Sequence, residues 1–218
     1  ALTKSIILRK PKKFLGVEID EDLYKIYHDN NLLDKIIFGN AIEVNENQLF
    51  NNQNFSIISN LPFNISSELL IKWCKIQNSY NCIDCMILMF QKELAERIVA
   101  ENNTKKYGRL SILSGAFFSV KKKVIVSKNS FFPIPKVDAV VLKFIPHKKN
   151  KIKKKNFNKL EKLTKIFFNE RRKKNKKKIL KHFSNEQIIK YELEKLYNLR
   201  AENISNDIFF KLSDIIKL

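Results

Sequence analysis

The sequence predicts an α/β protein, in which a doubly wound, mainly parallel sheet is followed by a small all-helical C-terminal domain. Short apolar runs alternate with helix-like segments over residues 14–116, which is the pattern of βαβ units. The composition shifts near residue 147, and from residue 156 onward every segment has helical periodicity. We therefore expect an α/β domain over residues 1–146 and a helical, basic domain over residues 147–218.

Each element follows from a local pattern in the chain. Short apolar runs bounded by polar residues predict strands at residues 14–20, 35–38, 55–58 and 82–90. Two further β-rich runs, at residues 117–126 and 137–145, predict an antiparallel hairpin that closes the sheet. Helical patterns predict helices at residues 21–31, 66–77, 92–101, 108–116, 157–169, 172–183, 185–197 and 205–217. Ser66 or Ser67 is expected to cap the second of these helices.

Three cysteines bear on whether the chain holds a metal ion. Cys82 and Cys85 have the spacing of a metal-binding pair, but the sequence offers no second pair. They also lead directly into an apolar run at residues 86–90. The pattern predicts a buried strand and no metal site.

Charge sets the class of partner that the chain is expected to bind. Lys and Arg number 42 against 22 acidic residues, which gives a net charge of +20. Residues 148–181, called the basic segment below, hold 17 of the basic residues and 2 of the acidic ones. This clustering favours nucleic-acid contact over a merely solvated surface. No apolar run approaches the roughly 20 residues of a membrane span, and no signal peptide is recognisable at the start. We therefore expect a cytoplasmic protein with no membrane partner.

Polar residues follow three of the predicted strands at their carboxyl ends, where open α/β sheets bind ligands. Glu18 and Asp20 end the first strand, and an acid there can accept hydrogen bonds from ribose hydroxyls. Asn40 follows the second and could accept from the amino group of adenine, or it could be a turn residue. Asn60, Pro62 and Phe63 follow the third. Together they predict a nucleoside cofactor beside a second planar ring.

Several blocks of sequence carry a resemblance to a known family. The two most specific blocks are Asn-Leu-Pro-Phe at residues 60–63 and Pro-Lys-Val-Asp at residues 135–138. The matching segments are residues 2–4, 17–20, 39–41, 60–66, 91–93, 95–97, 107–111, 131–138, 168 with 171–173, and 200–202. In these blocks the chain is similar to the small-subunit (16S-type) ribosomal RNA adenine N6,N6-dimethyltransferases.

The resemblance implies a fold, a reaction and a partner. The fold would be the Rossmann-like sheet of class I methyltransferases, with S-adenosyl-L-methionine as cofactor and no metal. The enzyme would act as a monomer on small-subunit rRNA in the immature small ribosomal subunit. It would methylate N6 of two adjacent adenosines in a hairpin near the 3′ end of that RNA, during ribosome biogenesis.

The resemblance also implies roles for individual residues. The cofactor-binding residues would be Leu2, Glu18, Ile19, Asn40, Ala41 and Asn60. The catalytic residues would be Asn60, Leu61, Pro62 and Phe63, with the Asn60 side chain and the Leu61 carbonyl accepting from the N6 amino group and Phe63 stacking on the base. The substrate-binding residues would be Phe131, Phe132, Lys136, Arg171 and Arg172. Either Phe131 or Phe132 would cover the other face of the base, and the arginines would grip phosphates.

Two features depart from the family pattern, and two other functions stay open. The family usually has Asp where this chain has Asn40, which predicts altered cofactor binding. Leu2 and the two residues after it resemble the end of a Gly-rich loop, so the first strand and most of that loop are expected to be missing. The alternatives are a large-subunit rRNA adenine N6-methyltransferase of the antibiotic-resistance type, and a non-catalytic ribosome-assembly factor on the same fold.

Overall fold

The computed structural model describes residues 2–29 and 35–216, and it divides the chain into two compact units. The first unit spans Ala1–Leu49 and the second spans Phe50–Leu218. The last residues of the helices predicted at 21–31 and 205–217 lie outside the described residues. The predicted domain boundary between residues 146 and 147 falls inside the second unit and stays a prediction.

The first unit is built around a two-stranded parallel sheet. Its strands are β1 (Gly16–Glu18) and β2 (Ile36–Phe38), with Glu18 opposite Phe38. Its helices are α1 (Leu2–Ile7), α2 (Glu21–Asp29) and α3 (Glu46–Leu49). Helix α2 begins where Asp20 Oδ1 accepts a hydrogen bond from the Leu23 amide at 2.9 Å. Helices α1 and α3 were not predicted, because runs of six and four residues are too short to show a helical period.

The second unit contains a four-stranded sheet in the order β3-β4-β6-β5. The strands are β3 (Phe55–Asn60), β4 (Ile83–Gln91), β5 (Phe118–Val126) and β6 (Ala139–Pro146). Strands β3 and β4 run parallel, whereas β6 is antiparallel to both β4 and β5. The predicted closing hairpin is therefore confirmed. In this four-stranded sheet one strand pair is parallel and two are antiparallel, so the sheet is less parallel than the alternating pattern suggested.

Helices complete the second unit and pack against this sheet and against one another. They are α4 (Ser66–Tyr80), α5 (Lys92–Ile98), α6 (Arg109–Gly115), α7 (Phe157–Asn169), α8 (Lys176–His182), α9 (Asn185–Lys190) and α10 (Asn206–Ile215). In the described part of the chain, no helix is long and apolar enough to cross a membrane.

One face of the four-stranded sheet forms the core of the second unit. Met86, Leu88 and Phe90 of β4 alternate along the strand and are fully buried. The strand register places them opposite Phe144, Leu142 and Val140 of β6, which are buried as well. Burying one such side chain contributes about 1.5–3 kcal/mol to the free energy of folding. This face therefore fixes the register of the strands and, through them, the positions of the loops at their ends.

Several helix predictions differ from the structure, and one of them is the helix predicted at 92–101, which ends at Ile98. The residue that caps α4 is Ile65, with no side-chain capping bond, and the Ser66 hydroxyl instead donates to the Phe63 carbonyl at 3.0 Å. The capping prediction was therefore wrong. The helix predicted at 172–183 begins only at Lys176, because the Asn175 amide donates to the Leu199 carbonyl at 3.1 Å.

The helix predicted at 185–197 is interrupted. Helix α9 ends at Lys190, Glu192 adopts a left-handed conformation with φ 52°, and a short 3-10 helix follows at Leu193–Leu196. Leu193 and Leu196 are both buried. The apolar pattern thus continues across the break, and for that reason periodicity alone did not reveal it.

The cysteines lie in the packed part of the second unit. Cys82 is 2% exposed and directly precedes β4, and Cys74 on α4 is fully buried, whereas Cys85 is half-buried. The predicted buried strand is confirmed. Among the described residues, no cluster of three or more His, Cys, Asp or Glu side chains could hold a metal ion.

These environments predict how the three thiols react. At pH 8 we expect one fast-reacting thiol per folded chain, that of Cys85, because burial raises the pKa of the Cys74 thiol and Cys82 is inaccessible. A colorimetric disulfide-exchange reagent would count the thiols, and all three should react in denaturant. The Cys85→Ser variant is the control and should show no fast phase. Two or more fast thiols in the folded chain would contradict this packing.

Candidate active site and nucleic-acid interface

Several loops of the second unit meet at one edge of the four-stranded sheet, called the loop edge below. Strands β3 and β4 end there, with Asn60 opposite Met89. Strand β6 begins there, since Ala139 pairs with Gln91, and β5 ends there, since Val126 pairs with Ala139. The loop after β3, the start of α5 and the loop at residues 127–138 therefore lie along the same edge. This is the edge at which the sequence predicted a binding site.

The loop after β3 presents polar groups with no hydrogen-bond partner among the described residues. Asn60 is the last residue of β3 and is exposed, and over the described residues neither its side chain nor the Leu61 carbonyl forms a hydrogen bond. The Leu61 side chain is 3% exposed and anchors the loop in the core. Pro62 is exposed, its carbonyl accepts from the Ile65 amide at 3.3 Å, and Phe63 is half-buried. The loop thus holds two hydrogen-bond acceptors beside an aromatic ring.

The loop at residues 127–138 carries the predicted aromatic residues. Phe131 is half-buried and Phe132 is 100% exposed, as expected for a ring that binds something outside the chain rather than for a core residue. Lys136 is exposed. Asp138 closes the base of the loop, because its carboxylate accepts from the Lys128 amide at 3.1 Å and its carbonyl accepts from the Lys92 amide at 2.9 Å. The Asp of the Pro-Lys-Val-Asp block therefore holds the loop in place.

In the first unit, the parallel pairing of β1 and β2 brings two predicted cofactor-binding segments together. Glu18 ends β1, and its carbonyl accepts from the Gly39 amide at 2.8 Å, just beyond the end of β2. Glu18 Oε1 accepts from the amides of Ile19 at 2.9 Å and Asp20 at 3.0 Å. These bonds orient the carboxylate, and within the described chain Oε2 accepts none. The Ile19 side chain is 64% exposed.

Asn40 makes the turn that follows β2. Its Oδ1 accepts from the Ile42 amide at 3.0 Å, and its Nδ2 donates to Glu43 Oε1 at 3.1 Å. Asn40 and Ala41 are both half-buried. An amide oxygen has two lone pairs, so Oδ1 can serve the turn and still accept one more hydrogen bond. Leu2, the remaining predicted cofactor residue of this unit, begins α1 and is 43% exposed.

Arg171 and Arg172, both predicted to grip phosphates, have different surroundings. Arg171 Nε donates to Glu202 Oε2 at 2.8 Å, and its Nη2 donates to the same oxygen and to the carbonyls of Thr104 and Lys105. Arg172 is exposed. Arg171 therefore fastens the loop before Tyr107 to the helical part of the chain. Of these two arginines, Arg172 is the one that faces solvent.

Sequence reasoning missed the residues that hold these loops. Glu202 belongs to the Arg-Ala-Glu block at residues 200–202, which had carried only the resemblance, and it proves to be the partner of Arg171. Glu96, in another such block, binds Lys106 with 2.5 Å between Oε2 and Nζ. Glu202 is separated from Arg171 by 31 positions in the sequence, and Glu96 is separated from Lys106 by 10. The only sequence signal was their presence in the matching blocks.

Comparisons with known proteins place this geometry in a family. The family model described as ribosomal RNA adenine dimethylase matches residues 1–217. A ribosomal RNA small subunit methyltransferase A from Pelagibacter ubique (strain HTCC1062) is 42% identical over 214 residues, which is 97% of this chain and 80% of the relative. One of the same name from Mycoplasmopsis pulmonis (strain UAB CTIP) is 38% identical over 218 residues, covering 97% of this chain and 82% of the relative.

Solved structures agree with this assignment. A dimethyladenosine transferase from Plasmodium falciparum superposes with a TM-score of 0.70 at 25% identity, covering 95% of this chain and 85% of the other. A 23S rRNA methyltransferase superposes with a TM-score of 0.64 at 16% identity, covering 93% of this chain and 81% of the other, and at that identity it supports the fold alone. The Rossmann-like methyltransferase fold predicted from the sequence is thus confirmed. The chain belongs to the ribosomal RNA adenine dimethylase family.

Proposed function

We propose that this chain transfers methyl groups from S-adenosyl-L-methionine to N6 of two adjacent adenosines in a hairpin near the 3′ end of small-subunit rRNA. It would do so as a monomer in the cytoplasm, on the immature small ribosomal subunit. The relatives named small subunit methyltransferases support the choice of RNA. The observation that supports the reaction is the pair of acceptors at the loop edge, on Asn60 and Leu61, that have no hydrogen-bond partner in the described part of the chain.

These two acceptors suit the chemistry of an adenine amino group. The lone pair of N6 is delocalised into the ring, which makes the nitrogen a weak nucleophile. Asn60 Oδ1 and the Leu61 carbonyl oxygen would each accept one of the N6 hydrogens, and this would hold the nitrogen in the pyramidal shape that frees its lone pair. Pro62 would fix the turn because its φ is restricted. No side-chain base is required, because the alkylated nitrogen is acidic and loses its proton to water.

The aromatic residues at the loop edge would hold the base outside the RNA stack. Phe63 would stack on one face of the extruded adenine, and Phe131 or Phe132 would cover the other. The full exposure of Phe132 supports this role, since an exposed ring gains most from a planar ligand. Lys136 on the same loop would contact the RNA backbone.

The first unit offers groups that fit the nucleoside part of the cofactor. Glu18 Oε2 would accept from the ribose hydroxyls, and the second lone pair of Asn40 Oδ1 would accept from the adenine amino group. Ile19 would contact the adenine ring, with Leu2 and Ala41 as further contacts. When bound, S-adenosyl-L-methionine supplies a methyl group activated by a sulfonium. The protein supplies binding, orientation and the acceptors at N6.

The basic segment would bind the phosphates of folded RNA. Its 17 basic residues give it the charge that binding a polyanion requires, and Arg172 within it is exposed. Arg171 would contribute mainly by holding the loop before Tyr107, because two of its three guanidinium nitrogens are occupied. We therefore assign phosphate contact first to Arg172.

Methyl transfer to immature small ribosomal subunits tests the proposal. The chain is incubated with S-adenosyl-L-methionine labelled on its methyl group, and the rRNA is digested to nucleosides. We expect label in N6,N6-dimethyladenosine from small-subunit rRNA, and none from large subunits as the control substrate. Label in large-subunit rRNA would favour the antibiotic-resistance type of enzyme. Binding to subunits without any label would favour a non-catalytic assembly factor.

A further inference from the structure

Three lysines from three different elements surround one carboxylate beside the loop edge. Lys92 is the first residue of α5, and Glu96 lies one turn later on the same helix face. Lys106, from the loop before Tyr107, forms the ion pair with Glu96 described above. Lys122 lies on β5 opposite Leu142 of β6, and α5 contacts β6. The methyl-transfer proposal uses none of these four residues.

All three ammonium groups favour the charged form of Glu96 and so lower its pKa. The hydrogen bond from Lys106 lowers the pKa of Glu96, and the charges of Lys106, Lys122 and Lys92 act in the same direction. One carboxylate faces three cations, so the cluster keeps an excess of two positive charges. The neighbouring Glu93 and Arg97 of α5 cancel each other in charge.

Hydrogen bonds connect the cluster to two parts of the proposed RNA site. At one end, the Lys92 amide donates to the Asp138 carbonyl at 2.9 Å, which ties Lys92 to the loop that carries Phe132. At the other end, Arg171 of the basic segment donates to the carbonyl of Lys105, the residue before Lys106. The Asn103 amide also donates to the Glu202 carbonyl at 2.8 Å. The lysines are thus held on a framework that joins the basic segment to the loop edge.

We infer that Lys92, Lys106 and Lys122 form a phosphate-binding track that guides the RNA backbone from the basic segment to the loop edge. The inference rests on the proposed function, since it takes the same RNA as the occupant. Lys92 and Lys122 are exposed, and the Lys106 side chain is 53% exposed. Exposed ammonium groups carried by separate elements suit a chain of phosphates rather than an enclosed small anion. Glu96 keeps the track in position by binding Lys106.

The test removes two charges without disturbing the framework. Lys92→Gln and Lys122→Gln are combined, because Lys106 anchors its loop and its replacement could alter the fold. The control combines Lys190→Gln with Lys211→Gln, two exposed lysines outside the basic segment that remove the same charge. Binding to labelled immature small subunits is measured at several salt concentrations. Thermal unfolding and S-adenosyl-L-methionine affinity, from calorimetry, should match the wild type in both variants.

The track variant should bind RNA about five- to tenfold more weakly than the control, and its slope of log K against log salt should be smaller by about two. KM for the subunits should rise while kcat stays unchanged, because the track lies away from the reacting atoms. Affinity and slope equal to those of the control would overturn the track. A loss of affinity with an unchanged slope would overturn the phosphate assignment.

The wild-type assay separates this inference from the proposed function. If the wild type methylates small-subunit rRNA and the track variant behaves as the control does, the track is wrong and the function stands. If the wild type transfers no methyl but its RNA affinity depends on Lys92 and Lys122, the track stands and the function is wrong.

Discussion

Replacing Asn60 with alanine is expected to lower kcat for methyl transfer by at least about a hundredfold, the loss typical of removing one preorganised hydrogen-bond partner at a reacting centre. The physical reason is that only one acceptor, the Leu61 carbonyl, would remain for the two N6 hydrogens. The rate is measured with saturating cofactor and immature small subunits. RNA affinity should be unchanged, since in the proposed mechanism the Asn60 side chain would contact the target base rather than the phosphates.

Asn64→Ala is the matched control for this prediction. Asn64 is an exposed amide in the same loop, and we assign it no contact with base or cofactor. Its variant should retain the wild-type rate. Thermal stability should be unchanged in both variants, because the Asn60 side chain forms no hydrogen bond among the described residues. An Asn60→Ala enzyme with near wild-type kcat would show that the side-chain acceptor is not part of the catalytic site.

Replacing Arg171 with methionine is expected to destabilise the chain by about 2–3 kcal/mol, although Arg171 is half-exposed. The Glu202 carboxylate, whose side chain is 21% exposed, would lose its counter-ion. The carbonyls of Thr104 and Lys105 would lose their donor as well. Urea unfolding followed by circular dichroism measures the change. The loop that carries Lys106 should also become more sensitive to trypsin.

Arg172→Met is the control, and it should change stability by less than about 0.5 kcal/mol while weakening RNA binding. A double-mutant cycle with Glu202→Gln isolates the ion pair, for which we expect a coupling free energy of about 1 kcal/mol or more. If Arg171→Met instead unfolds like the wild type and loses RNA affinity as Arg172→Met does, Arg171 contacts phosphate directly and does not hold the loop.

Much of the architecture was predictable because local patterns reflect local physics. The β4 segment is apolar at nearly every position, and this matches a strand whose one face is fully buried and whose other is half-buried. The polar residues after β1, β2 and β3 were predicted to form a site because parallel strands end at a common edge. Pairing confirms that β1 and β2 end together in the first unit and that β3 and β4 end together in the second.

Other features depended on contacts between residues far apart in the chain. The late start of α8 follows from Asn175 pairing with Leu199, 24 residues away. The break after α9 was not predicted, because buried apolar residues on both sides of it continue the helical pattern. Arg171 and Arg172 are adjacent and chemically identical, yet only Arg171 reaches Glu202. No local pattern distinguishes two neighbouring arginines when the difference is set by an acid 31 residues later.

The division between what local patterns predicted and what the folded chain added has a simple physical basis. The succession of strands and helices along the chain, the polar loop after β3 and the basic segment follow from hydrophobic period, turn chemistry and charge, all of which act over a few residues. Which lysines share a carboxylate, which arginine is an anchor and which aromatic ring is exposed are set by packing and by long-range ion pairs. Because these interactions join distant parts of the chain, only the tertiary structure could assign them.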